Sequence, residues 1–270
     1  MDSDTDKSVP GTRSYKLGVA LSGGGARGFA HAGALMAIEE AGYKPDIIAG
    51  VSAGSVAAVL YAGGIKPLEI AQLFARRTFR DFAELSLGQG GLFRIDRLER
   101  FIGRAVNYRN IEDLPIPTYL GVTDLVNGKA VYFDHGEIGP RLVASCSIPI
   151  IFKPVHIDGG TYVDGGVLRN HPAWIIRDKC EKLIGVNVSP IRRERKINSI
   201  VEVALRTYNL MAKANQYADM ALCDVSVEAS DLTDYTVFDL KHIKAIFVSG
   251  YIYTRNALKA AGMWKEAKDS

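Results

Sequence analysis

The chain has 270 residues, of which 47% are hydrophobic, 23% charged and 9% aromatic, and it carries 33 basic against 30 acidic side chains for a net charge of +3. That balance supports a packed core and excludes a disordered or fibrous chain, and the charge excess is too small for a nucleic-acid binder. No run of about eighteen apolar residues occurs, so no membrane-spanning helix is expected.

Residues 1–13 are polar and lack the apolar stretch of a secretory signal, so a disordered tail is expected there. No repeat, low-complexity segment or linker interrupts residues 14–270, which are expected to form one domain. Residues 16–21 (KLGVAL) read as a buried strand, followed by a Gly-rich turn and a helix over 29–41 that stops at Gly42. Residues 46–50 read as a second strand, followed by a tight turn and a helix over 55–61. Two strand–turn–helix units in succession predict a parallel sheet with helices on both faces.

Residues 67–82 read as a helix bearing Arg76, Arg77 and Arg80, either a plain surface helix or one lying on an anionic interface. Residues 85–93 read as a Gly-containing loop, and 94–106 as a charged amphipathic helix. Strands at 118–125 and 129–133 are joined by Asn127-Gly128, a strong hairpin signal. A short helix is expected at 140–147. A second hairpin, 155–157 and 161–163, turns at Asp158-Gly159-Gly160. A strand at 183–188, a helix at 199–222, a strand at 225–229 and a helix at 243–261 complete the chain. Cys146, Cys180 and Cys223 have no metal-ligand spacing and read as reduced thiols, which points to the cytoplasm.

Gly23-Gly24-Gly25-Ala26-Arg27-Gly28 fits a dinucleotide-binding turn. That reading also needs an acid at the end of the second strand. Asp46 has nearly the right spacing but stands at the strand's start, and the far end carries Gly50-Val51-Ser52-Ala53-Gly54 instead. This second motif fits a nucleophile elbow: Gly50 and Gly54 let strand and helix approach, and Ser52 is exposed at the positive end of a helix. The triple glycine then has another use, because amides at a helix start can stabilise a developing oxyanion. Arg27 could organise that turn or attract an anionic head group. A solvated arginine at a helix start is the plain alternative.

A serine nucleophile needs a proton acceptor. Among His31, His135, His156, His171 and His242 only His171, in Arg169-Asn170-His171-Pro172, has a recognisable setting, and none is favoured. Asp164, at a strand end before Gly165 and Gly166, is the better candidate. Asp158 reads as a hairpin turn. Its ordinary pKa of about 3.9 makes aspartate a weak base, so the site is expected to raise it.

These three motifs, in this order, resemble the patatin-like phospholipase family, particularly its small bacterial members and the catalytic domain of neuropathy target esterase. The likeness covers about residues 16–172, with residues 144–154 (ASCSIPIIFKP) and Asn170-His171-Pro172 also similar. The resemblance implies an α/β fold, a three-layer α/β/α sandwich with a mostly parallel central sheet. It implies a Ser52–Asp164 dyad without a histidine, and an oxyanion hole from Gly23, Gly24, Gly25, Arg27 and Gly28. It implies no metal or organic cofactor. The implied activity is hydrolysis of acyl esters in phospholipids, lysophospholipids or neutral lipids. The arginine-bearing helix and the 85–93 loop leave room for peripheral contact at the inner membrane face, and the small net charge speaks against a nucleic-acid partner. An acyltransferase on the same fold, a dinucleotide-dependent oxidoreductase and a non-catalytic scaffold stay open as alternatives. Leu85, Leu87, Leu92 and Phe93, around Gly88-Gln89-Gly90-Gly91, are candidates for an acyl channel or lid, against simple packing on the core.

Overall fold

The computed structural model describes residues 13–75, 77–85, 91–191 and 197–264. The expected tail, Arg13 excepted, lies outside the described residues, as do Arg76 and Leu87, Gly88, Gln89 and Gly90 of the expected lid.

In chain order, β1 (Tyr15–Leu21) leads through the Gly-rich turn into α1 (Phe29–Glu40), and β2 (Ile47–Val51) leads through Ser52 into α2 (Ala53–Ala62). Then come α3 (Pro67–Leu73), β3 (Glu84–Leu85), β4 (Phe93–Arg94) and α4 (Asp96–Ala105). The second half holds β5 (Thr118–Asp124), β6 (Lys129–Phe133), α5 (Ile138–Ser145), β7 (Val155–Ile157), β8 (Gly160–Asp164), α6 (Ala173–Ile176), β9 (Cys180–Asn187), α7 (Ile200–Met220), β10 (Val225–Glu228) and α8 (Ile243–Ala260).

The main sheet runs β10-β9-β1-β2-β5-β8-β7, with β6 also paired to β5. All pairings from β10 to β5 are parallel; those of β5 with β6, β5 with β8 and β7 with β8 are antiparallel. Period-two alternation sorts the central strands between two cores. Leu17, Val19 and Leu21 of β1 and Ile48 of β2 pack with α1, α2, α3 and α8. Ala20, Ile47 and Ala49 pack with α6 on the other face. The result is the expected α/β/α sandwich with a mostly parallel sheet. On the first face α1 and α8 cross at glycines: a Cβ on Gly33 would collide with the Phe247 carbonyl, and one on Gly250 with the Ala30 carbonyl.

Two expectations change. The helix expected over 67–82 stops at Leu73, because the chain turns at Phe74 to bury that ring 5.2 Å from Phe29, 5.5 Å from Phe82 and 5.1 Å from Phe101. Clustered rings of this kind outweigh a few further helical turns of weak propensity. The loop expected over 85–93 is pinned at its ends by the antiparallel β3–β4 pair. No helix among the described residues is long and apolar enough to cross a membrane.

The edge of β5 brings two distant chain segments together. β6 pairs with residues 120–124 of β5, so β2 and β8 must share the opposite edge. β2 occupies it from Thr118 to Gly121, and β8 takes over at Val122 in the opposite direction. Val51 lies opposite Gly121 and Asp164 opposite Val122, so the ends of β2 and β8 meet nearly head to head. A Cβ on Gly165 would touch Val51 Cγ1 at 3.1 Å, as that meeting requires.

Candidate active site

Ser52 sits at the turn between β2 and α2 with φ +53° and ψ −121°. Such a backbone costs a non-glycine residue roughly 1–3 kcal/mol and persists only where its surroundings over-determine it. Two devices do so here. A Cβ on Gly50 would strike the backbone of Gly54, and one on Gly54 would strike the Leu21 carbonyl, so strand and helix are pressed together around the turn. The Ser52 N–H also donates to Ser145 Oγ at 3.0 Å. Ser145 Oγ donates in turn to the Gly121 carbonyl at 2.8 Å, so its 2.8 Å contact with Ser55 Oγ must run from Ser55. Ser145 therefore ties the elbow to β5.

Asp164 ends β8 and is fully buried. Its Oδ1 accepts from the Gly166 N–H at 2.9 Å and from the Tyr208 hydroxyl of α7 at 2.9 Å. Burial pushes its carboxyl up to about 6, opposed by the hydrogen bonds of Gly166, Ser52 and Tyr208. The Ser52 hydroxyl is thus close enough to act on the carboxylate. Even so, Asp164 Oδ2 has no partner of good hydrogen-bond geometry among the described residues. The Cys146 thiol also touches Ser52; burial first, then the Asp164 charge, raise it well above its ordinary value, so it is an inert neighbour.

The Gly-rich turn lies beside Ser52, since a Cβ on Gly23 would come within 3.3 Å of Ser52 Cβ. Its amides divide into two groups. Gly23 N–H donates to the Asn170 carbonyl at 3.2 Å and Ala26 N–H to the Val237 carbonyl at 2.8 Å. Those of Gly24 and Gly25 have no protein acceptor among the described residues. Gly25 and Gly28 line the same cavity as Ser52. Arg27 is not a solvated arginine: it is 6% exposed, and its guanidinium donates to the Gly24 carbonyl at 3.3 Å and the Pro190 carbonyl at 2.8 Å. It braces the turn.

The cavity over Ser52 holds about 170 Å³ and its wall is almost wholly apolar. Phe29, Val56, Ile70, Phe74, Phe82, Ile95, Leu98, Ile148, Phe152 and the segment Val237, Phe238 and Leu240 form it. Leu85, Leu92 and Phe93, candidates for an acyl channel or lid, are not among the lining residues. Leu85 and Phe93 border a separate surface hollow.

The histidines stay away from this cavity. His31 Nε2 is 2.7 Å from the Ser22 carbonyl, and burial lowers its pKa to about 4. His171 is fully buried, with neither ring nitrogen bonded among the described residues and a pKa lowered by burial to about 3. His135, His156 and His242 are exposed beside Asp134, Thr161 and Asp239. Asp46, the would-be ribose acid, accepts from the Leu17 N–H at 2.9 Å and holds the start of β1. Asp158, at φ +49°, makes the hairpin turn expected of it.

Sequence reasoning did not single out Tyr208, Ser145 or Asn215. Asn215 Nδ2 donates to the Gly166 carbonyl at 3.0 Å, and its Oδ1 accepts from the Asn170 N–H at 2.8 Å, so α7 holds the loop after Asp164. For Ser145 there was a faint signal, its place in the stretch 144–154. For Tyr208 and Asn215, two turns apart on one face of a long helix, there was none.

The family model for patatin-like phospholipases matches residues 19–176, more than half of the chain. The uncharacterized protein YqhO of Bacillus subtilis is 32% identical over 214 residues, covering 67% of this chain and 74% of its own. An uncharacterized NTE family protein of Mycobacterium bovis is 35% identical over 162 residues, covering 59% of this chain and 45% of its own. Lysophospholipase nte1 of Aspergillus fumigatus is 30% identical over 166 residues, covering 57% of this chain and 10% of its own. The chain thus spans about half the length of the mycobacterial relative and far less of the fungal one. Among solved structures, VipD of Legionella pneumophila superposes with a TM-score of 0.51 at 14% identity, covering 92% of this chain and 67% of that one, a likeness of fold. Sequence match, relatives and architecture agree: this chain belongs to the patatin-like phospholipase family.

Proposed function

We propose that the protein is a serine lipid acyl hydrolase that cleaves fatty-acyl esters of phospholipids or lysophospholipids through Ser52 and Asp164. The observation that carries the proposal is a serine held at φ +53° on a strand–helix elbow, opening into an apolar cavity, with a buried carboxylate of raised pKa at the adjoining strand end. Asp164 takes the hydroxyl proton as Ser52 Oγ attacks the ester carbonyl. At a pKa of about 6 it is mostly ionised at neutral pH and a far better base than an ordinary aspartate.

The N–H groups of Gly24 and Gly25 receive the negative charge of the tetrahedral intermediate, each worth about 3–4 kcal/mol in the transition state. Asp164 then returns the proton to the departing alcohol, leaving the acyl group on Ser52. Water loses a proton to Asp164 and attacks the acyl carbon; as the bond to Ser52 Oγ breaks, Asp164 passes that proton to Oγ, freeing the fatty acid and restoring the serine hydroxyl. The apolar cavity takes the acyl chain. The fungal relative's name, lysophospholipase, points to a single-chain substrate as the first to assay.

The test is labelling by a fluorophosphonate probe together with turnover of lysophospholipid, diacyl phospholipid and nitrophenyl esters. Ser52→Ala is expected to lose both label and turnover. Asp164→Asn is expected to lose turnover by several orders of magnitude while still melting cooperatively. Esterase activity retained in either folded variant refutes the proposal.

A further inference from the structure

Outside the cavity, four guanidinium groups surround one surface hollow of about 250 Å³: those of Arg77, Arg97, Arg100 and Arg104. Arg97, Arg100 and Arg104 share a face of α4 at helical spacing. The floor is Phe82 and Phe101, and the lining holds a single carboxylate, Asp81, already bonded to Thr78 N at 2.6 Å. Arg97 is paired with Glu84, and Arg77 lies over the Phe101 ring at 5.6 Å. Arg100 and Arg104 have no ion pair among the described residues. Like charges brought together around a concavity repel one another and concentrate anions there.

The surroundings say which anion. Arg97 also borders the next hollow, with Leu85, which is 78% exposed. The β3–β4 pair leads from there to Leu92, also exposed, whose N–H donates to the Ile150 carbonyl at 3.1 Å. Ile150 is 56% exposed at φ +71°, a backbone that a β-branched residue adopts rarely and at a cost. Its neighbours Ile148 and Phe152 turn inward and line the cavity over Ser52. Phe82 is shared by that cavity and the arginine hollow. A basic hollow continuous with an exposed apolar rim matches a membrane surface, where charged headgroups and acyl chains lie within a few ångströms of each other. A soluble phosphate would need only the arginines.

We propose that this face docks on bilayers containing anionic lipid: Arg77, Arg97, Arg100 and Arg104 engage headgroup phosphates, while Leu85, Leu92 and Ile150 enter the interface beside the cavity that holds Ser52. The proposal rests on the lipid-hydrolase reading for its purpose. Vesicle binding needs no turnover, however, so the two fail separately.

The experiment is cosedimentation of the full chain with phosphatidylcholine vesicles and with vesicles of equal parts phosphatidylcholine and phosphatidylglycerol. The wild type is expected to favour the anionic vesicles, less so as salt rises. Arg100→Ala with Arg104→Ala is expected to weaken that partition about 25-fold, about fivefold per arginine, and the paired lysine substitutions to retain most of it. Ile150→Gly is expected to weaken partition while raising the melting temperature, because it removes an exposed apolar side chain and relieves its backbone. Equal partition into both vesicles, anionic binding unchanged in the double alanine variant, or inorganic phosphate displacing the vesicles at equal charge concentration would each overturn the proposal. Turnover of a water-soluble nitrophenyl ester, measured alongside, reports the catalytic reading independently.

Discussion

Tyr208→Phe isolates the group that reaches Asp164 from outside the family-matched segment. The change deletes one donor and keeps the ring, which is buried among Val143, Phe152 and Ala204. The lost bond, Tyr208 Oη to Asp164 Oδ1 at 2.9 Å, favours the ionised carboxylate and so holds its pKa down. A hydrogen bond to a charged group is worth about 1.5–3 kcal/mol, and one pKa unit corresponds to about 1.4 kcal/mol, so the carboxyl should rise from about 6 to about 7–8. At pH 7 the ionised fraction then falls from about 90% to a quarter or less on an upward shift of 1.5 units. The assay is kcat/KM for a soluble ester between pH 5 and about 9. The acid limb should move upward by at least one unit, with activity at the alkaline plateau close to that of the wild type. A variant that loses activity equally at every pH, with the limb unmoved, would refute the argument that Tyr208 sets the proton affinity of Asp164.

The wild-type limb itself should fall near pH 6, with activity lost below it as Asp164 protonates. Stability should fall in acid as well. His31 and His171 are buried neutral, with folded pKa values of about 4 and about 3 against about 6.5 unfolded, so the unfolded state binds more protons and stability present above pH 6.5 drains away below it. Asp164 acts oppositely, regaining stability as pH falls from 6 toward 4. Together the three groups predict a net loss of about 4 kcal/mol at pH 4, readable by urea denaturation. Ser145→Ala removes the anchor of the Ser52 N–H and leaves the Gly121 carbonyl unpaired; it should cost about 1–3 kcal/mol and lower kcat more than it raises KM. Arg169→Met strips the cation from fully buried Asp219 and should destabilise by about 3–5 kcal/mol, in part recovered by adding Asp219→Asn, as thermal melts would report.

Much of the candidate site's arrangement was legible because it is written in short-range backbone needs. The Gly-rich turn, the elbow around Ser52 and the acid before Gly165-Gly166 each require particular residues within six positions. Strand ends before them fix where they emerge. The parallel half of the sheet followed from strand–turn–helix order. The antiparallel half, where β8 takes over the β5 edge from β2, depends on pairing between strands about forty to seventy residues apart, which no local pattern encodes. The same reason hid Tyr208: helical periodicity identifies a buried face of α7 but not the atom it meets. The cavity wall was misjudged because Leu85 and Leu92 are as apolar as Phe74 and Phe82. Only the ring cluster that ended α3 early decides which of them turn inward.

The glycine crossing of α1 and α8 reaches further than its place in the core suggests. Val237, Phe238 and Leu240 precede α8 directly, and the Val237 carbonyl is clasped by the Ala26 amide of the turn beside Ser52. One wall of the apolar cavity over Ser52 is therefore suspended between the Gly-rich turn and a helix whose depth is set by Gly33 and Gly250. Any bulk added at that crossing would shift α8 outward and slacken the wall. Fatty-acid length preference would then be adjustable from two positions that never meet a substrate.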